Sequence, residues 1–182
     1  MKIIGFFARG NSGQRVLFGK ATIYGAVVAL CLAGCEAKEP ATVSLSGIVY
    51  NYSQDALVAV YIGGKDIGSM DEVQSGDVSG GGVKCCFNLP VNAKDVEVEV
   101  RLPKGERYKT TAQIEKWWPD LAHYGVVHIL PGRKVVIQVT PSWPAPRKDL
   151  LEAQQRALGM EVKTLFDIWS AGPIERIDGK GK

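Results

Sequence analysis

The sequence predicts a mostly β protein: a small antiparallel β-sandwich followed by a C-terminal α-helix, all behind an apolar leader. Three observations carry this. Apolar and polar residues alternate over several short runs, as strands with one buried face require. Glycine and proline pairs fall between such runs where hairpins would turn. Only near the C-terminus does the apolar spacing change to that of a helix.

The first run starts at Thr42. Val43, Leu45, Gly47 and Val49 alternate with Thr42, Ser44, Ser46 and Ile48. Ala56 to Ile62 is a second run, rich in β-branched and aromatic residues, and Gly63-Gly64 after it can turn a hairpin. Residues 68–82 are polar and glycine-rich and read as a mobile loop. Val83 to Leu89 is the next strand, closed by Pro90. In the following run Val96, Val98, Val100 and Leu102 share one face, opposite Glu97, Glu99 and Arg101.

Residues 104–125 show no clear period and read as irregular. Val126 to Leu130 and Lys134 to Thr140 then flank Pro131-Gly132, a strong hairpin signal. The prolines of Pro141-Ser-Trp-Pro-Ala-Pro146 stop ladder pairing. From Arg147 to about Trp169, Leu150, Leu151, Ala157, Leu158, Val162, Leu165, Phe166 and Trp169 follow helical spacing, with Gly159 a break or bend. Such a stripe more often packs on its own sheet than on a partner.

The leader has its own logic. Lys2, Arg9, Arg15 and Lys20 precede an apolar run from Ala21 to Ala33, and no acidic residue occurs before Cys35. A basic region, a short apolar core and small residues at the end are the marks of a signal peptide. The run is shorter than the roughly 20 apolar residues of a membrane span. Leu32-Ala33-Gly34-Cys35 resembles the lipobox of bacterial lipoproteins. That likeness implies cleavage before Cys35 and a covalent lipid on it, with no other cofactor. Several acyl chains on one residue hold a membrane stably where one chain does not. Glu36 is not the aspartate that retains such proteins in the inner membrane, which favours the periplasmic side of the outer membrane over the inner. The expected organisation is a signal peptide at 1–34, a lipidated tether at 35–41, a β domain at 42–146, a helix at 147–171 and a flexible tail at 172–182.

Processing changes the charge argument. The whole chain carries +3, but residues 1–34 hold four basic and no acidic groups, so their removal leaves about −1. The remaining ~150 residues suffice for one domain with a real core. They give no global electrostatic case for nucleic acid as a partner.

Motifs for catalysis are weak. His123 and His128 do not form a zinc-protease helix. Gly76-Asp-Val-Ser-Gly80 has its serine one place off a nucleophile elbow. No catalytic residue and no metal site is expected, and the chain reads as a non-enzymatic binding domain.

Cys85 and Cys86 are candidates for a disulfide or redox pair. Alternation puts Cys85 in the core with Phe87 and leaves Cys86 half-exposed, and that structural reading is favoured. A vicinal disulfide stays open; it would close a small strained ring, comparatively easy to reduce, which would suit a redox or switch role. A soft-metal site is disfavoured, since two thiols need further ligands. Trp117, Trp118 and Tyr124 are candidates for a partner-binding patch; structural anchoring is the safer reading for one of the tryptophans.

Ser79-Gly-Gly-Gly-Val-Lys-Cys-Cys-Phe-Asn-Leu-Pro90, behind a lipobox, resembles the bacterial lipoprotein domain-of-unknown-function family 3304. Asn51-Tyr52-Ser53, the Val96–Arg101 strand and Val126–Thr140 fit that family's pattern, so the likeness spans about residues 42–143. It implies an immunity protein that binds and neutralises a secreted type VI phospholipase effector, with the membrane as a second partner through the lipid anchor. An envelope structural or assembly lipoprotein, and a redox or metal-binding lipoprotein using the cysteine pair, are the alternatives.

Overall fold

The computed structural model describes residues 41–163. The expected signal peptide, Cys35 and its lipid, nearly all of the tether, the far end of the expected helix and the tail lie outside the described residues.

Within them the chain is mostly β with one C-terminal α-helix. The strands are β1 (Thr42–Asn51), β2 (Leu57–Ile62), β3 (Lys65–Met70), β4 (Ser79–Pro90), β5 (Asp95–Arg101), β6 (Arg107–Ile114), β7 (Tyr124–Leu130) and β8 (Lys134–Thr140); the helix is α1 (Lys148–Ala157). Hairpin chemistry acts where the sequence places it. Gly63 and Gly64 have φ of 55° and 75° and join β2 to β3. This is the doubly left-handed backbone whose twist matches two antiparallel strands. Pro131–Arg133 forms a short 3-10 turn between β7 and β8.

Two segments expected to be irregular are strands. β3 and the start of β4 occupy much of 68–82, leaving a shorter loop at 71–78. β6 occupies 107–114 within the stretch expected to lack structure. Its inward positions are Tyr108, Thr110, Ala112 and Ile114, too mixed in polarity to show a period. The strand is set by its partner: Tyr108 pairs with Val100 and Ala112 with Val96 in a full antiparallel ladder to β5.

All eight strands join one hydrogen-bonded sheet, in the order β3-β2-β5-β6-β8-β7-β1-β4. Five of its ladders are antiparallel, as expected. The ladders β1–β7 and β6–β8 are parallel, which the expectation of an antiparallel sandwich did not contain. Hairpin signals report only strands adjacent in sequence, so pairings between distant strands were invisible to them.

The sheet curls so that its first strand packs over β1. Gly47 and Gly68 permit that approach: a Cβ on Gly47 would lie 2.8 Å from the Ile67 Cβ, and one on Gly68 would lie 2.9 Å from the Val49 Cγ2. Inside the curl lies the larger core, with Leu45, Val49, Phe87, Leu89, Val100 and Ile137 among its buried members. A second apolar cluster lies on the other face of β1 and β7, where Ile48, Tyr50, Tyr52, Val78 and Val126 meet Leu151 of α1. β1 and β7 are therefore buried on both faces along Gly47–Asn51 and Gly125–Ile129. That is the environment in which parallel pairing is normally found.

The helix packs on its own sheet through Leu151. It ends at Ala157, well before the expected residue 171, and residues 158–163 are not helical. Gly159 stops it at φ 69°. Its N–H bonds to the Arg156 carbonyl at 3.1 Å, and that of Met160 to Gln155 at 2.9 Å. These two reversed bonds close the helix end as a left-handed glycine cap does.

Candidate functional site

The paired cysteines sit on β4, at one edge of the sheet. Along the β1–β4 ladder Leu45 faces Phe87, but Gly47 faces Lys84. Two β4 residues, Cys85 and Cys86, thus oppose Ser46 alone, which is a β-bulge. The bulge breaks the alternation counted back from Phe87. Cys85 is consequently exposed and Cys86 half-buried, correcting the expectation that Cys85 is a core residue. The two sulfurs are bonded to each other. Beside them the Lys84 ammonium pairs with the Asp66 carboxylate of β3 at 2.8 Å, tying the two ends of the curled sheet together. Among the described residues no cluster of three or more His, Cys, Asp or Glu side chains could hold a metal.

The three aromatic candidates do not form one patch. Trp117 is half-buried against the larger core, and its Nε1 donates to the Ala93 carbonyl at 3.2 Å. Trp118 is half-buried as well, with the Lys116 ammonium 5.4 Å from its ring centroid. Tyr124 packs on the second cluster instead, and meets Trp143 edge-on with centroids 5.7 Å apart. Trp143 is the most exposed large apolar side chain among the described residues, at 62 %. Its setting between Pro141 and Pro144 was the available signal: proline prevents the ladder pairing that could have covered it.

The sequence reading missed a buried polar network centred on Asn51, Tyr52 and His128. Asn51 is fully buried and uses both ends of its amide. Its oxygen accepts from the Ser53 N–H and hydroxyl at 2.9 and 2.8 Å, and its nitrogen donates to the carbonyls of Asp55 and Asp71 at 2.8 and 3.1 Å. One side chain thus fixes the turn after β1 and the loop after β3. The Tyr50 hydroxyl donates to the Pro144 carbonyl at 2.9 Å, holding the proline segment on the sheet.

Tyr52 and His128 determine each other's protons. The Tyr52 oxygen accepts the Arg147 backbone N–H at 2.8 Å, so its own proton is free for His128 Nδ1, 3.3 Å away. His128 then carries its proton on Nε2, facing Gln138 Oε1 at 3.4 Å. Burial is the first cause of its pKa falling to about 3, and the nearby Arg147 charge is the second. Burial likewise pushes the Tyr52 hydroxyl well above its usual value. A neutral, enclosed imidazole stacked on Tyr50 at 5.8 Å is suited to specifying packing rather than to proton transfer with a bound molecule.

The Arg147 side chain is only 2 % exposed and is held by two carboxylates: Nη1 by Glu115 at 2.7 Å, and Nε and Nη2 by Asp149 at 2.7 and 2.6 Å. Burial alone would lower its pKa; the bonds to Asp149 and Glu115 outweigh that and keep the guanidinium charged. This bidentate fork is available to arginine and not to lysine. Behind it, Gln154 donates to the Tyr52 carbonyl at 2.8 Å, and Gln155 donates to Gly76 at 2.9 Å.

No protein-family model, curated protein or solved structure matches this chain. Two accessible features carry chemistry: the oxidised cysteine pair at the sheet edge, and the Trp143 ring above Tyr124.

Proposed function

We propose that the chain is a lipoprotein anchored on the periplasmic side of the cell envelope, where it binds and neutralises a secreted type VI phospholipase effector. The observation that carries the reading is Leu32-Ala33-Gly34-Cys35 behind a basic and then apolar leader. The Cys85–Cys86 bond supports it, because disulfides persist in oxidising compartments. The glycine run, paired cysteine and Leu-Pro of β4 support the inhibitor role through the family resemblance. An anchor beside the bilayer that a lipase attacks raises the inhibitor's effective concentration there. Neutralisation needs surface shape and contacts rather than catalysis, which agrees with His128 being sealed inside the fold.

The anchor is tested by labelling cells with radioactive palmitate. The wild-type chain takes up label and Cys35→Ser does not; equal labelling of both refutes the lipobox. The inhibitor role is tested separately, by mixing deletion cells with sister cells that deliver a phospholipase encoded beside this gene. Deletion should sensitise the recipient, and the purified chain should bind that enzyme. Unchanged survival together with absent binding refutes the inhibitor role while leaving the anchor intact.

A further inference from the structure

We propose that Cys85–Cys86 is a thiol-exchange site, opened by a dithiol reductant, and that its opening remodels the bulged edge of β4. The inference does not depend on what the domain inhibits.

A structural staple is the ordinary role of a disulfide, and it fails here on physical grounds. A disulfide stabilises a fold mainly by closing a loop in the unfolded chain, and the benefit grows with loop length. The two cysteines are one residue apart, so there is almost no loop to close. Their bond has little effect on the unfolded chain, and its influence is local to the native strand. Neighbouring Cα atoms across a trans peptide lie about 3.8 Å apart, below the ~4.4–6.8 Å that ordinary disulfides span. An extended strand cannot hold such a ring in register. The ring coincides with one of the two places where β4 leaves register against β1, the one opposite Ser46; the other, opposite Val49, falls at Gly81-Gly82.

Access is present as well. Cys85 is exposed, and among the described residues β4 forms a ladder with β1 alone, while β3 packs beside it without pairing. Lys84, the residue before the ring, holds Asp66 across the sheet closure. A change in the bulge is thus passed to the contact between β4 and β3.

The exchange balances simply. One thiolate of the reductant attacks the exposed Cys85 sulfur, forming a mixed disulfide, and Cys86 leaves as a thiolate. The second thiol of the reductant displaces Cys85. Two electrons and two protons pass to the cysteine pair, and the dithiol becomes a disulfide.

The full chain, purified in detergent, is equilibrated under native conditions with mixtures of reduced and oxidised dithiothreitol, alkylated, and analysed by mass spectrometry. Both Cys85 and Cys86 should become alkylated as the mixture turns reducing. Amide hydrogen exchange should then accelerate on the order of tenfold in β4 and in facing β3 residues, with the rest of the sheet unchanged. The double variant Cys85→Ala with Cys86→Ala should show this faster pattern whether or not reductant is present. Alkylation that requires denaturant overturns the proposal, as does a pair that never oxidises. Exchange rates that ignore both reduction and the double substitution overturn the coupling to the strand edge.

Discussion

The Tyr52 hydroxyl accepts the backbone N–H of Arg147 at 2.8 Å, across 95 residues of sequence. One oxygen just past the end of β1 thereby fixes the point where α1 begins, and the same hydroxyl lies 3.3 Å from His128 Nδ1. Tyr52→Phe leaves the ring in place and removes both bonds, stranding a buried N–H and a buried imidazole nitrogen. The loss should be about 1–3 kcal/mol per stranded group at most. Urea unfolding should show a lower midpoint with an unchanged slope, and an unchanged midpoint would refute the role given to this hydroxyl.

His128 gives the fold a defined pH limb. Its folded pKa, about 3, lies below the ordinary histidine value of about 6.5. Between these values the unfolded chain binds a proton that the folded chain refuses. Stability is therefore complete above about pH 6.5 and falls as pH drops toward 3, by up to roughly 1.4 kcal/mol per pH unit. Asp149 adds a second loss at lower pH: burial opposes its ionisation, but its bonds to Arg147 outweigh this and hold its pKa below the ordinary carboxylate value. Thermal melts from pH 7 to pH 4 should fall for the wild type and stay nearly flat for His128→Gln. Equal slopes in the two proteins would remove His128 as the cause.

Arg147→Met tests the buried ion cluster. The substitution leaves the Glu115 and Asp149 carboxylates without their cation, beside the helix start. A cost of about 3–5 kcal/mol is expected for breaking one side of a buried pair, less to the extent that Asp149 reaches water. Arg147→Lys should recover only part of this, since an ammonium cannot span both carboxylates. Full recovery with lysine, measured by equilibrium unfolding, would argue against the bidentate geometry.

The tryptophans should divide sharply. Trp117→Ala removes a ring packed on the larger core together with its bond to Ala93, and should cost about 2 kcal/mol or more. Trp143→Ala removes a ring that is mostly in solvent and should stay within about 0.5 kcal/mol. Similar losses for both would mean that Trp143 is not the exposed member.

Gly47→Val should be among the most damaging surface-distant changes, because the added carbon enters the space of the Ile67 side chain where β3 crosses β1. Overpacking of this kind costs about 1–3 kcal/mol. A melting temperature equal to that of the wild type would show that the sheet does not close as tightly as described.

The sequence alone determined the strands that alternate cleanly, such as β5, and the turns built from glycine and proline at Gly63-Gly64 and Pro131-Gly132. It also determined that a helix begins after Pro146. These are local properties: each is written in residues a few places apart. β3 and β6 escaped because their side chains lack a clean period and their strands exist through ladders to β2 and β5. The parallel pairings of β1 with β7 and of β6 with β8 escaped for the same reason, since no local spacing encodes a distant partner.

The candidate site divides along that line too. Adjacent cysteines were visible as letters, and the question of a bond between them arose from chain geometry alone. That Cys85 faces solvent was decided by a bulge, which depends on how β1 lies against β4. The hub of Asn51, Tyr52, His128 and Arg147 joins residues whose places in the chain give no sign of one another. Only folding brings them together, because a buried hydrogen bond acts over about 3 Å in space and is indifferent to distance along the sequence.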